Sequence, residues 1–409
     1  RQIMTPLVSL RLPCLADEER EKRMTAARTL GEVVRKLGQK VLPQIFPILK
    51  AGMDSENPLQ RQGVSVGLCE IMTASNHEVI IEFVDQIIPL VQKGLCDEDE
   101  GTRQTTAGTF AQLHIILGQD AITAIIPQLL NQLDEEETKE RALDGLRHIM
   151  ASKSRAVLPF LIPRLSEDPF TVDNAKSLVS LASVAGADLN RYISGILATF
   201  LKSVIDPDIE NPSEILAAAQ SLALAVDDEG LADLLAGLTE AAEHKNVLVR
   251  RAAISMIAEL SRNGEQDLED HMPDLIEIQL KAFIDESSDV VSEAWGGLNA
   301  VMERVKTDSA AYLNHILTVL KEMWSTNPGA EVAGFCMPKG IQPVFTLMHT
   351  SLISGTAEAK RTAAKTVAQV VMMTSATALA PFILKLTGGL IRATSDNAGG
   401  IKASMLVGL

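Results

Sequence analysis

The phrase Ile87-Ile88-Pro89-Leu90-Val91 is followed by four acids, Asp97-Glu98-Asp99-Glu100, then by Arg103 and by an apolar run that closes at Gly118. Apolar residues recur at helical spacing on both sides of the acids. A glycine is the usual stop for a helix, because it adopts the left-handed backbone conformation without steric cost. The stretch therefore predicts two amphipathic α-helices joined by an acidic turn.

The same phrase recurs along the chain. Its prolines are separated by 42, 38 and 36 residues, and they are Pro47, Pro89, Pro127 and Pro163. A stop of the form Gly-Gln recurs 80 residues apart, at 38–39 and 118–119. A period of about 40 residues made only of helical patterns is typical of HEAT and armadillo arrays, and two helices per unit favour HEAT. We predict an all-α HEAT-repeat α-solenoid of about ten helix pairs, wound as a right-handed superhelix. The predicted helices include 79–94, 138–150, 155–165, 188–204, 268–284, 378–392 and 402–409.

Composition agrees with this fold class. The chain has 409 residues, which is long for one compact core, whereas a solenoid grows by adding neighbouring units. Aromatic residues make up only 3% of the chain. The formal net charge of −16 argues against nucleic acid as the main partner, because phosphate binding depends on clustered Lys and Arg.

Residues for catalysis or metal binding are not grouped in the sequence. The four cysteines and seven histidines never come within the spacing of a metal site, and no phosphate-cradling glycine motif occurs. Cys69 and Cys96 fall on apolar helix positions and are predicted to be buried free thiols. We predict a protein that is not an enzyme and binds no cofactor or metal. No apolar run reaches the ~18 residues of a membrane span and no signal peptide begins the chain, so we expect a cytoplasmic setting.

The charged motifs of the repeat are predicted to be mainly structural. The acids at 97–100 and 134–137 precede second helices, where carboxylates accept hydrogen bonds from free N–H groups. A third acidic cluster lies at 227–229. One arginine per repeat occupies a matched position and is expected to pair with a neighbouring acid, forming a ladder along the turns; these are Arg23, Arg61, Arg103, Arg141 and Arg250.

Three features exceed what the repeat requires. The irregular segment 325–340 is rich in Gly and Pro and is predicted to be a loop or a hinge; its Phe335 and Lys339 are possible partner contacts, since loops on rigid scaffolds often carry function. Trp295 is predicted to be a core residue. Arg392 follows an apolar run at a helix end, where it either complements the helix dipole or contacts a partner.

At these motifs the chain resembles a known family. The phrases Gly334-Phe335-Cys336-Met337-Pro338-Lys339 and Thr387-Gly388-Gly389-Leu390-Ile391-Arg392, together with 30–38, are similar to the C-terminal HEAT array of the ribosome-associated translational activator of the general amino-acid control pathway. The resemblance runs in order over essentially the whole chain.

The resemblance implies a non-enzymatic scaffold that binds, on stalled or collided ribosomes, the RWD domain of the kinase of translation initiation factor two α subunit. It implies kinase activation in amino-acid starvation, other RWD-containing proteins as partners, and ribosome contact through other parts of a longer protein. It implies no direct binding of nucleic acid or membrane by this part of the protein. It implies a cytoplasmic location in association with ribosomes or polysomes.

The resemblance also implies a division of the chain. Residues 1–341 would form the HEAT array with its irregular loop at 325–340, and 342–409 would begin the kinase-binding repeats, truncated at the end. By the Thr-Gly-x-Leu-Ile-Arg phrase, the partner-binding residues would be Arg392, Thr387 and Ile391. Since the chain starts without methionine and stops inside an apolar run, we expect a piece of a longer array.

Two alternatives share the predicted architecture. A nuclear transport receptor of the karyopherin type also has an acidic HEAT superhelix, which wraps basic cargo. A phosphatase scaffold subunit has repeats of more uniform length, and the irregular segment 325–340 weighs against it.

Overall fold

A computed structural model describes residues 13–209, 211–305 and 310–394. Helices dominate these ranges and no strand occurs in them, so the predicted all-α class is confirmed. The contacts of the chain divide it into two compact units, the first ending at Leu189 and the second beginning at Asn190. The number of helix pairs, the handedness and the functional division after residue 341 stay predictions.

The first unit pairs its helices in the predicted order. Its helices are α1 (Arg20–Leu37), α2 (Leu42–Met53), α3 (Pro58–Ala74), α4 (His77–Glu82), α5 (Val84–Leu95), α6 (Glu100–Leu117), α7 (Gln119–Asn131), α8 (Lys139–Leu165) and α9 (Val172–Ala185). The repeated proline lies inside the first helix of successive pairs, at Pro47 in α2, Pro89 in α5 and Pro127 in α7.

Each layer of the first unit is made of equivalent helices. The second helices α1, α3, α6 and α8 pack side by side, and the first helices α2, α5 and α7 form the other layer. The core lies between the layers, where Phe46, Leu68, Ile87 and Phe110 are at most 2% exposed. A helix pair cannot bury its apolar face alone, so each repeat is stabilised by its neighbours.

The second unit follows the same plan. Its helices are α10 (Ile193–Ser203), α11 (Pro212–Ala225), α12 (Leu231–Ala242), α13 (Val247–Asn263), α14 (Met272–Lys281), α15 (Ser288–Arg304), α16 (Ala310–Thr326), α17 (Ala333–Cys336), α18 (Gln342–Ser354), α19 (Ala357–Met372), α20 (Ala376–Leu379) and α21 (Ile383–Thr394). The second helices α11, α13 and α15 pack together, and the first helix α14 packs on α16.

The predicted glycine stops are confirmed. Gly38 ends α1 with φ 70°, and its N–H donates to the carbonyl of Val34 at 2.8 Å. Gly118 ends α6 with φ 59° and donates to His114 in the same way. An L side chain is strained at these angles, which explains why glycine recurs here. Gly186 ends α9 at φ 55°, a third stop of this kind that the repeat pattern did not predict.

Several predicted helices are divided or shortened. The predicted helix at 79–94 breaks at Phe83 into α4 and α5, and the one at 378–392 breaks into α20 and α21. The helices predicted at 138–150 and 155–165 are joined in α8 across a kink at Lys153, where φ is −138°. The predicted helices at 188–204 and 268–284 carry 3-10 turns at their ends. The last predicted helix, 402–409, lies outside the described residues.

Candidate partner-binding surfaces

The arginine ladder joins neighbouring repeats. Arg61 on α3 donates through Nε and Nη2 to both carboxylate oxygens of Asp97, each at 2.7 Å. Its Nη1 donates to the carbonyls of Ser55 and Glu56, at the turn before its own helix. One guanidinium thus fixes its own turn and the turn of the next repeat, an arrangement that suits the planar fork of arginine.

Arg250 repeats this geometry in the second unit, whereas Arg103 makes a single hydrogen bond to an acid inside the helix α8. Arg103 donates to Asp144 at 2.6 Å, and Arg250 donates to both carboxylate oxygens of Asp285 at 2.6 and 3.0 Å. Arg141 departs from it, since it lies 3.6 Å from Glu98 and the two side chains are 41% and 79% exposed. Arg23 donates to main-chain carbonyls of its own turn. The predicted ladder is therefore built by the arginines at 61, 103 and 250.

Most of the acidic motifs also have structural partners. Asp99 caps α6 by accepting from Thr102 N–H at 2.7 Å, while Asp134 pairs with Arg164 at the same distance. Asp227 accepts from Gly230 N–H at 3.0 Å. Within the described residues no group of three His, Cys, Asp or Glu side chains could hold a metal ion. In those same ranges no helix is long and apolar enough to cross a membrane.

The two internal thiols are half-buried. Burial raises the pKa of Cys69, and it raises the pKa of Cys96 to about 11, against the opposing influence of two nearby arginines. A thiol with a raised pKa is a poor nucleophile because the thiolate is the reactive form. Both are free thiols, as predicted, but they are less deeply buried than a core position would make them.

The segment 325–340 is an anchored connection in this structure. Its short helix α17 places Phe335 in the core, where the ring is fully buried and meets Phe283 edge-on at 5.3 Å. Val332 N–H donates to the carbonyl of Met373 at 2.8 Å, and Cys336 Sγ accepts from Ser375 N–H at 3.2 Å. The predicted partner contact by Phe335 is not favoured, since its ring is occupied in packing.

Lys339 is exposed, as are several other residues of this segment. Its φ of 63° is unusual for a residue with a side chain. Trp295 of α15 donates its indole N–H to the Lys339 carbonyl at 3.3 Å. Trp295 is only partly buried, so the prediction of a core tryptophan is wrong: its ring supports the loop from one side. A contact of Lys339 with a partner stays a prediction.

The last described helix, α21, presents the predicted partner-binding residues on its exposed side. Ile391 and Arg392 are exposed, and Thr387 is intermediate with its hydroxyl donating to the Ile383 carbonyl at 2.8 Å. Leu384 is 86% exposed, which is the largest value among the exposed apolar side chains of the described residues. Positions 384, 387 and 391 are three and four apart, so they share one face of the helix.

The opposite face of α21 fixes this surface in place. Leu386 and Leu390, together with Phe382 just before the helix, are at most 6% exposed, and α21 packs chiefly on α18. The Phe382 ring lies 5.0 Å from that of Phe345, and the Lys385 ammonium lies 6.0 Å above the latter ring. Sequence reasoning missed Leu384, although three successive apolar residues at 382–384 cannot all face one core.

An arginine beside exposed Leu and Ile side chains can bind a partner by two kinds of contact. The guanidinium offers a planar set of donors to a carboxylate, and the aliphatic side chains offer apolar area to a pocket. Interface anchors are commonly of this mixed type. The roles of Arg392, Thr387 and Ile391 nevertheless stay predictions at this point.

Several known proteins are similar in sequence to this chain. Residues 157–339 match the family described as "Stalled ribosome sensor GCN1-like, HEAT repeats". The chain is 37% identical to the human protein "Stalled ribosome sensor GCN1" over 99% of this chain and 15% of that protein. It is 32% identical to the Dictyostelium discoideum protein "eIF-2-alpha kinase activator GCN1" over 97% of this chain. It is 29% identical to the Saccharomyces cerevisiae protein of the same name over 100% of this chain. The chain thus spans less than one fifth of the length of these relatives, at 15% and 16% for the latter two.

Solved structures give a more distant likeness. The match to the crystal structure of Kap121p covers 100% of this chain and 41% of the Kap121p chain, with 14% sequence identity and a TM-score of 0.40. A likeness at this level carries no argument about function.

Proposed function

Because this chain belongs to the GCN1 family of HEAT-repeat proteins, we propose that it is a non-enzymatic scaffold which binds the RWD domain of the kinase of translation initiation factor two α subunit. Binding holds the kinase beside a stalled or collided ribosome and promotes its activation in amino-acid starvation. Other RWD-containing proteins bind the same surface. The ribosome is contacted by other parts of the full-length protein, which works in the cytoplasm on polysomes.

The observation that carries the proposal is the similarity over nearly the whole chain to proteins named as stalled ribosome sensors and kinase activators. The karyopherin alternative is not favoured, because the relatives named above are GCN1 proteins that match nearly the whole chain. That this part of the chain is not itself an enzyme rests on the charged motifs. Their side chains are largely occupied in caps and inter-repeat ion pairs.

The exposed face of α21 supports the choice of surface. Leu384 and Ile391 offer apolar contacts and Arg392 offers a charge-assisted hydrogen bond, all on a helix whose other face is fixed in the core. A carboxylate of the RWD domain would accept from Arg392. Tethering raises the local concentration of a bound kinase to about the millimolar range when the geometry permits, so a weak contact suffices.

The test is the affinity of the 409-residue chain for the isolated kinase RWD domain, measured by isothermal titration calorimetry. Arg392→Ala should weaken binding at least about tenfold, because a hydrogen bond to a charged group contributes roughly 1.5–3 kcal/mol. Arg361→Ala is the matched control, since Arg361 is an exposed arginine on the neighbouring helix α19. It should leave the affinity within about twofold.

Two results would count against the proposal. Equal affinity of the wild type and Arg392→Ala would remove Arg392 from the contact. No binding of the RWD domain by either protein would remove the partner altogether. A variant Leu384→Ser separates the apolar contribution from the ionic one, and loss of binding there with retention in Arg392→Ala would assign the surface to apolar contacts alone.

A further inference from the structure

A groove of about 850 Å³ crosses the carboxyl ends of three helices in the second unit. α12, α14 and α16 are the first helices of successive pairs, and each ends at this groove. Its volume lies in the range of sites that hold a small ligand or a short peptide side-chain cluster. The groove shares no residue with the face of α21 described above.

The floor of the groove is apolar. Ile278 and Met323 line it with at most 7% of their surface exposed, and Ala242 and Ala282 lie beside them. Ile284 is 50% exposed at the rim. An exposed isoleucine next to a recessed apolar floor gives a partner a place to bury an aliphatic side chain.

The rim is strongly acidic. Six carboxylate side chains and three cations line the groove, an excess of three negative charges. Arg250 already pairs with Asp285, and Lys281 pairs with Glu277 at 2.6 Å. The remaining acids of the lining are exposed, namely Glu243, Asp274, Glu286 and Glu322, and the remaining cation is Lys245.

The helix ends add to this negative potential. The last carbonyls of a helix carry roughly half a negative charge, and three helices end here. The pKa of Lys281 responds to this environment. The hydrogen bond to Glu277 raises it, burial opposes the rise, and the charges of Glu322 and Glu243 raise it further. The charge of the groove therefore favours cations of a partner.

We propose that this groove binds a basic segment of a partner protein, in which Lys or Arg side chains flank an apolar residue. The apolar residue packs on Ile284 and Met323. The flanking cations meet Glu243, Glu286 and Glu322, which lie at the rim on three different elements. Electrostatic complementarity of this kind sets the choice of partner and speeds association. The inference is independent of RWD binding, because it uses other helices and the opposite charge.

The probe is a fluorescein-labelled peptide of sequence GKRKLKRKG, titrated with the 409-residue chain by fluorescence anisotropy at about 0.1 M salt. Two control peptides are used, one with Ser in place of the central Leu and one with every cation replaced by an acid. We expect the first peptide to bind, the Ser peptide to bind more weakly, and the acidic peptide not to bind. Anisotropy that stays flat with the first peptide overturns the proposal.

Variants of the protein locate the site. Glu243→Lys/Glu322→Lys should weaken peptide binding about tenfold or more, since two attractive charge pairs are lost and the reversed charges repel the peptide. Glu229→Lys/Glu358→Lys is the matched control, because it changes the net charge equally at exposed positions outside the groove. Equal weakening by both double variants would show binding to the overall charge and overturn the proposal.

A third variant and one further measurement complete the test. Ile284→Ser removes the rim contact without changing charge, and it should reduce the preference for Leu over Ser in the peptide. Far-UV circular dichroism melts confirm that every variant folds. Sedimentation at several protein concentrations reports self-association; a dimer lost in the Glu243→Lys/Glu322→Lys variant would assign the groove to a second copy of the chain and overturn the peptide proposal.

Discussion

Replacing Arg61 with alanine removes one inter-repeat clamp and leaves its partner without a counter-charge. The Arg61 and Asp97 side chains are 13% and 5% exposed, and two hydrogen bonds of 2.7 Å join them. Breaking a buried pair by removing one partner costs about 3–5 kcal/mol. Asp97 also accepts from Asp99 N–H at 2.9 Å, and the pair lies near the surface, so we expect about 3 kcal/mol.

Thermal unfolding followed by circular dichroism measures this loss. For 150–250 residues, 1 kcal/mol shifts Tm by roughly 2–4 °C, so the transition of the first unit should fall by about 6–12 °C. Arg141→Ala is the matched control, because Arg141 lies 3.6 Å from Glu98 with exposures of 41% and 79%. An exposed pair contributes about 0–1 kcal/mol, and Tm should move by less than about 4 °C.

A double variant isolates the interaction itself. In the double variant Arg61→Met/Asp97→Asn neither side chain is charged. Its loss of stability should therefore be smaller than the sum of the losses in the single variants Arg61→Met and Asp97→Asn. The reasoning is refuted if Arg61→Ala and Arg141→Ala lower Tm equally. It is also refuted if the two single changes simply add in the double variant, because a clamp couples its partners.

Two further predictions concern packing and pH. Gly145→Ala places a methyl group 2.2 Å from the main-chain oxygen of Leu95, so it should lower the free energy of unfolding by about 1–3 kcal/mol in a urea titration. Gly108→Ala, with open space around it, should stabilise α6 by about 0.5–1 kcal/mol. Equal effects of the two changes would contradict this packing. For Asp285, burial works to raise the pKa, but the hydrogen bonds from Arg250 and from the Ser287 N–H outweigh it and hold the pKa below its usual range, so the folded state binds fewer protons. The stability that this pair contributes should be complete above about pH 5 and should be lost as pH falls below about 4. Asp285→Asn should therefore flatten the pH dependence of the urea midpoint in this range. An unchanged pH dependence in the variant would contradict this role of Asp285.

The helix pairs could be predicted from sequence because their signals are local. Gly38 and Gly118 end helices through a backbone angle that only the residue itself decides. The period of the proline phrase likewise reports equivalent positions in successive repeats. The arginine ladder was predictable for the same reason at Arg61, Arg103 and Arg250, since a fixed spacing in sequence becomes a fixed spacing between repeats. The same spacing did not predict that Arg23 donates within its own turn or that Arg141 lies 3.6 Å from Glu98.

The partner-facing residues could not be predicted with the same success. Phe335 lies in a segment without helical periodicity, and only its packing on Phe283 in a neighbouring helix pair shows that it is a core residue. Trp295 has a core-like composition around it, yet its indole supports a loop from the surface. Leu384 belongs to an apolar run, and which residue of that run is exposed depends on how α21 packs on α18. Long-range packing decides these three cases.

The charge of the chain bears differently on the two proposed surfaces. A net charge of −16 attracts a basic segment toward the acidic groove, so long-range electrostatics assist binding there. The same charge repels an acidic partner that approaches Arg392. Binding at α21 must therefore depend on short-range contacts, which are screened less by salt and do not need favourable steering. The exposure of Leu384 and Ile391 beside Arg392 supplies such contacts, and it explains why an arginine alone would be a poor site on so acidic a chain.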